Sequence, residues 1–425
     1  METEFSIGDF CMKRDMYLEK LIRRKNNGMI KVITGIRRCG KTYLLFNLFY
    51  NYLLESGVDD GHIIKIALDD RMNKKYRDPD VLCEYVHEAV RDDKMYYVLL
   101  DEVQMVSEFE DVLNSFLHID NVDTYVTGSN AKFLSKDIIT EFRGRGDQIH
   151  LYPLSFSEFM RGRNADRMQA WYEYTMYGGL PKILEIENEE DKANYLRDIF
   201  EETYIKDILE RNDVRNPVEL EELLDYLASA IGGLTNPKKL SDTFKTVKNT
   251  LVHPDTIKNY LDYFEDSFLI NRANRYDVKG KKYISTPMKF YFTDCGLRNV
   301  RINFRQYEET HIMENIIYNE LLIRGYNVDV GMVEYNYYNG ERKRVQKQLE
   351  VDFVCNQGSK RIYIQSALAI PTKEKEEQEQ LSLQTIKDSF KKVIIVKDAP
   401  THYNESGIFI LNLFDFLLKE DSLNQ

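Results

Sequence analysis

Cysteine is scarce in this chain and badly placed for chemistry. The five, Cys11, Cys39, Cys83, Cys295 and Cys355, are odd in number and form no C-x-x-C pair. That spacing argues against a disulfide framework or a zinc site, and free thiols fit a reducing cytoplasm. Long apolar runs are missing as well. No stretch approaches the roughly 20 apolar residues of a membrane-spanning helix, so no membrane association is expected. Met1-Glu2-Thr3-Glu4-Phe5 is acidic and lacks an apolar segment, so no secretion signal is expected and the expected location is cytoplasmic. Positive charge is in deficit: 58 Lys and Arg face 70 Asp and Glu, a formal net charge of −12. Indiscriminate nucleic-acid binding is thereby disfavoured, while a local basic patch stays open. What is present suffices for real cores, since 43% of the 425 residues are hydrophobic, and the length allows two to four domains.

The most informative stretch is Gly35-Ile36-Arg37-Arg38-Cys39-Gly40-Lys41-Thr42, which fits G-x-x-x-x-G-K-[ST]. An apolar strand, Ile30–Thr34, enters it and a helical run from Tyr43 to Phe49 leaves it. That order suits phosphate: glycines let backbone N–H groups curl around the anion, and the helix N-terminus adds positive potential. Lys41 is expected to reach the β- and γ-phosphates of a nucleoside triphosphate, and the Thr42 hydroxyl to ligate Mg²⁺. A second run, Met95 to Leu100, ends in Asp101-Glu102. Two acids at a buried strand end are costly unless a cation or water satisfies them. Asp101 is expected to hold Mg²⁺ and Glu102 to act as general base. A third strand, Val122–Thr127, leads into Gly128-Ser129-Asn130, where Ser129 or Asn130 could sense the γ-phosphate or form a plain turn. Arg143 or Arg145 could serve as an arginine finger, in this chain or a neighbouring subunit, or be a surface residue. Cys39, at a helix N-terminus, is expected to alkylate readily and to be protected by MgATP.

Alternating strands and helices imply a parallel sheet with its ligand site at the carboxyl ends of the strands. Residues 8–27 read as a helix before it, and the Leu- and acid-rich region 183–235 as helices covering the nucleotide. Next come a short helix at Pro237–Phe244, a second from Pro254, and two strands around Gly280. This succession resembles a winged helix, with Thr256, Lys258, Asn259 and Lys282 on its exposed face. From Lys238 to Lys289 eleven Lys or Arg face six Asp or Glu, a local excess of five. DNA and a protein partner both remain open as what that face contacts.

The last ~115 residues read as a further α/β unit. A helix bearing Glu314, a strand bearing Asp352 and a strand bearing Gln365 resemble the PD-(D/E)XK nuclease core. That resemblance implies a second metal site at Glu314, Asp352 and Gln365 and a lysine two residues on. The lysine position is Ala367, and no lysine lies between Lys360 and Lys373. The fold is therefore expected to be nuclease-like and degenerate.

Taken together, the phosphate loop, Leu100-Asp101-Glu102-Val103-Gln104, Thr127-Gly128-Ser129-Asn130, Gly144-Arg145, Pro153-Leu154-Ser155-Phe156-Ser157-Glu158-Phe159, Gly178-Gly179-Leu180-Pro181 and Glu350-Val351-Asp352-Phe353 resemble a family of bacterial and archaeal AAA+-type ATPases. The resemblance covers nearly the whole chain. It implies an α/β fold with a P-loop NTPase parallel sheet at 1–160, a helical lid at 161–235, a winged helix at 236–303 and a degenerate PD-(D/E)XK-like domain at 304–425. It implies binding of ATP and Mg²⁺ and hydrolysis of ATP. A low-turnover nucleotide switch and an ATP-dependent nuclease are the alternatives, and a homo-oligomer is possible.

Overall fold

Strands buried on both faces read as apolar runs, and the run Tyr96–Asp101 at the heart of the first sheet is buried at every position. The structure, a computed structural model, describes residues 12–128, 142, 144–163, 165–305, 307–338, 340 and 343–424. The first five strands are β1 (Ile30–Thr34), β2 (Ile63–Ala67), β3 (Tyr96–Asp101), β4 (Val122–Gly128) and β5 (Gly146–His150). All pair in parallel, in the order β2-β3-β4-β1-β5. Thr34 pairs with Gly128 and Ala67 with Asp101, so the ends of β1, β3 and β4 reach one edge together. The two acids stand one strand away from the loop strand, because β4 lies between β3 and β1.

Helix α1 (Asp15–Arg23) is shorter than the expected span of 8–27. Its C-terminal limit has a backbone cause: Asn26 and Gly28 take φ of 58° and 71°, which no right-handed helix tolerates. The helix after the phosphate loop begins as α2 (Lys41–Tyr43), widens to a π-helical stretch at Leu44–Phe49 and closes as α3 (Tyr50–Glu55). α4 (Pro79–Ala89) starts where Pro79 fits the first turn and Asp78 accepts the N–H groups of Asp80 and Val81. α4 and α5 (Phe109–Phe116) bury Leu82, Val86, Leu113 and Phe116 against Val32, Ile66, Val98, Leu100 and Val126.

The chain forms two compact units. The one just described is Met1–Leu154 with Leu180–Lys182 and Asp266–Phe268; the other is Ser155–Gly179, Ile183–Glu265 and Leu269–Gln425. The second unit opens with helices at Phe156–Gly162, Arg167–Tyr177, Glu189–Ile199, Lys206–Asn212 and Pro217–Ser229. Then come α6 (Pro237–Thr243), α7 (Pro254–Asp266) and the hairpin of β6 (Ile270–Asp277) and β7 (Lys282–Phe292). The Asp277 carboxylate closes the turn by accepting the N–H groups of Lys279 and Gly280.

This hairpin departs from a free-standing wing. β7 runs on to Phe292, and β6 pairs in parallel with β8 (Asn327–Tyr338). The two strands are therefore the edge of an eight-stranded mixed sheet, in the order β12-β13-β11-β10-β9-β8-β6-β7. Its other members are β9 (Arg344–Gln357), β10 (Lys360–Ala367), β11 (Lys391–Val396), β12 (His402–Tyr403) and β13 (Phe409–Asn412). Tyr276 of β6 shares a core with Val333, Val351, Tyr363, Leu383, Ile394 and Ile410, and this burial draws the hairpin into the sheet. α8 (Glu309–Ile323) is fixed to β7 by Asn315, whose side chain bonds both the N–H and the C=O of Phe292 at 2.8 Å. Tyr318 stacks on Tyr291 at 4.2 Å beside it.

Candidate functional site

The phosphate loop folds around its own lysine. Gly35, Arg38 and Gly40 take φ of 148°, 64° and 101°, which turn the backbone through the loop and into α2. Lys41 is buried, and its ammonium donates to the carbonyls of Gly35 at 3.0 Å and Ile36 at 3.2 Å. Among the described residues no carboxylate pairs with it. A buried ammonium facing only carbonyls, at the start of a helix, favours an anion. Ile36 and Cys39 are fully buried, while Arg38 is exposed and Arg37 half-buried.

The acids sit across from it. Thr42 Oγ1 donates to Asp101 Oδ2 at 2.7 Å, so the two expected Mg²⁺ ligands are already in contact. Burial raises the Asp101 carboxyl above its usual range, against hydrogen bonds from Thr127 and Thr42 that lower it. A buried carboxylate whose charge is disfavoured gains from a nearby cation. Glu102 stands in the left-handed region, at φ 53° and ψ 49°. Two residues of the matching motifs, to which the sequence alone assigns no role, hold it. Thr127 Oγ1 accepts the Glu102 N–H at 3.0 Å and donates to Asp101 Oδ1, and Gln104 Nε2 donates to Glu102 Oε2. In the sequence Thr127 shows only as the end of a strand and the start of the Thr127-Gly128-Ser129-Asn130 motif.

Two of the expected roles change. Ser129, Asn130 and Arg143 lie outside the described residues. Arg145 precedes β5, and its carbonyl accepts the N–H of Ile30 at the start of β1. The loop leaves the other end of β1, one five-residue strand and roughly 13–16 Å away. Arg145 therefore stands at the wrong edge to act on a phosphate held by its own loop. Cys39 is also corrected. Its thiol is buried and points at the Leu151 carbonyl, 3.5 Å away, and burial raises its pKa more than Lys41 and the loop amides lower it. Native protein should react with Ellman's reagent at Cys39 far more slowly, by roughly 100-fold or more, than denatured protein. Cys39 labelling at the denatured rate, followed by peptide mapping, would overturn that burial.

In the second unit Glu314, Asp352 and Gln365 come together, and a lysine is there after all. Lys289, from β7, places its ammonium 2.9 Å from Glu314 Oε1 and 2.7 Å from Glu350 Oε1. No local motif could have shown this, because β7, β9 and α8 meet only through the fold. Burial and the neighbouring Glu314 push the Asp352 carboxyl well above its usual range. On the remaining predicted face, Lys258, Asn259 and Lys282 are exposed and Thr256 is half-buried. Among the described residues no helix is long and apolar enough to cross a membrane.

Comparison with known proteins agrees with the first unit's geometry. A family model described as an AAA domain matches residues 27–160. Models described as domains of unknown function match 168–308 (DUF8612) and 309–416 (DUF4143). An uncharacterized protein of Haemophilus influenzae is 32% identical over 96% of this chain and 99% of its own length. The uncharacterized protein MJ1544 of Methanocaldococcus jannaschii is 30% identical over 81% of this chain and 74% of its own. Among solved structures, the Aeropyrum pernix ORC1 protein in complex with DNA covers 76% of this chain and 96% of its own, at 11% identity and a TM-score of 0.33. The chain thus belongs, over nearly its whole length, to the same family as the Haemophilus influenzae protein, one whose N-terminal part is a P-loop AAA domain.

Proposed function

We propose that the chain is a Mg²⁺-dependent ATPase that couples its nucleotide state to a DNA- or partner-binding second unit. The observation that carries this reading is the buried Lys41 ammonium with no carboxylate partner among the described residues, beside the Thr42–Asp101 pair. In it, the loop from Gly35 to Thr42 holds the phosphates, Thr42 and Asp101 hold Mg²⁺, and Glu102 takes the proton of the attacking water. Mg²⁺, when bound, would neutralise charge on the phosphate oxygens. Thr127 and Gln104 position Glu102. The basic excess between Lys238 and Lys289, with Lys238, Lys239, Lys245, Lys258 and Lys282 exposed, supports a nucleic-acid partner.

A second reading has an observation of its own. The Glu102 carboxylate is engaged by Gln104, which restrains the base and fits a slow switch that regulates a protein partner. Steady-state phosphate release with and without duplex DNA separates the two. Stimulation of several-fold, lost as salt is raised, is the expected result and favours the ATPase that works on DNA. Negligible turnover under both conditions favours the switch.

A further inference from the structure

The nuclease-like core carries an expectation of a metal ion at Glu314, Asp352 and Gln365, and with the Lys289 ammonium among them the residues there do not fit one. A divalent cation needs free oxygen lone pairs converging on a point. Glu314 Oε1 already accepts from the Lys289 ammonium at 2.9 Å and from the Tyr291 hydroxyl at 2.6 Å. Asp352 Oδ2 accepts the Ser366 N–H at 2.8 Å. The amide oxygen of Gln365 faces donors as well, the Asp352 N–H and the Ser382 hydroxyl, each at 3.4 Å. The Lys289 side chain is only 4% exposed and lies between Glu314 and Glu350, whose Oε1 is 2.7 Å from its nitrogen. A metal ion bridging those carboxylates would have to share the space with a positive charge.

We propose that Lys289 is the resident cation of this cluster, standing where the nuclease-like fold would otherwise take a divalent metal. The cluster is therefore metal-free by construction. Its ammonium comes from β7, the strand the hairpin adds to the sheet edge, and not from β10, where Ala367 replaces the expected lysine. The swap has a chemical consequence. An ammonium with its protons committed to two carboxylates neither polarises a phosphate nor lowers the pKa of a bound water as a metal does. The same ion pairs tie β7 to α8 and β9, so the cluster holds the hairpin in the sheet.

The test measures Mn²⁺ uptake by the full chain without nucleotide, from the loss of the free-ion paramagnetic resonance signal. An Asp101→Asn background removes the carboxylate of the first unit's site. With Lys289 in place, this protein is expected to show no uptake that Asp352→Asn abolishes. Adding Lys289→Met is expected to create uptake of about one Mn²⁺ per chain, lost again on Asp352→Asn. Asp352-dependent uptake with Lys289 present would overturn the proposal, and so would a folded Lys289→Met protein that gains no site. The first comparison leaves Lys289 untouched, so it decides the matter even where Lys289→Met does not fold, which a thermal melt followed by circular dichroism would show.

Discussion

Replacing Glu102 by Gln should leave ATP binding within about threefold of the parent and reduce turnover by at least ~100-fold, the usual scale for loss of a general base. The two side chains have nearly the same shape, and the backbone that positions them does not depend on the carboxylate. Glu102 is set in the left-handed region by its own N–H bond to Thr127 Oγ1, 3.0 Å long. Gln104 meets the side chain and can bond an amide oxygen as it bonds a carboxylate oxygen. What the amide lacks is a basic lone pair able to take a proton. Lys41, Thr42 and Asp101 keep their contacts, so binding is preserved. Fluorescent ATP-analogue titration together with single-turnover phosphate release checks both halves. A variant that still turned over within threefold of the parent would remove Glu102 as the base. Weakened binding with unchanged single-turnover chemistry would instead make it a structural residue of the turn.

The elements that could be read from the sequence were those whose cause is local. β1, the loop and α2 are adjacent in the chain, and the spacing of Gly35, Gly40 and Lys41 encodes the turn directly. The run from Tyr96 to Asp101 is apolar because it is buried on both faces, which its composition states outright. Features that depend on another segment were invisible or misread. Cys39 has the sequence setting of a reactive thiol, but Leu151, more than a hundred residues on, closes over it. Arg145 follows a sensor-like strand in sequence, yet the parallel register returns it to the far edge of the sheet. In the sequence Lys289 is one more charge in a basic patch. It is nearly buried, because β6 pairs with β8 and carries β7 into the sheet against α8. Pairings of high sequence separation decide all three, and periodicity does not report them.

Gly35 is where backbone geometry and function coincide most tightly, and Gly35→Ala should lose both stability and nucleotide. Its φ is 148°, and a Cβ built there would lie 2.2 Å from the Leu151 carbonyl oxygen and 3.1 Å from the Cys39 sulfur. The first obstacle is backbone, so no rotamer relieves it. Leu151 cannot retreat easily, since its N–H is bonded to Thr34 O at 2.8 Å and its side chain is fully buried. The loop must move instead, and the carbonyls of Gly35 and Ile36 that hold the Lys41 ammonium move with it. Strain and overpacking together should cost about 3 kcal/mol. For a unit of this size that is a drop of roughly 6–12 °C in melting temperature. ATP affinity should fall at least ~100-fold, equivalent to roughly 2.7 kcal/mol. Gly28→Ala supplies the contrast inside the same unit. Its φ of 71° also disfavours alanine, but nothing lies within 4 Å of the added carbon. That variant should lose only about 1 kcal/mol and bind ATP as the parent does. The pair separates strain in general from displacement of this loop. Parent-like ATP binding by Gly35→Ala, or an equal loss of binding by Gly28→Ala, would show that the phosphate site does not depend on the approach of Leu151 to the loop.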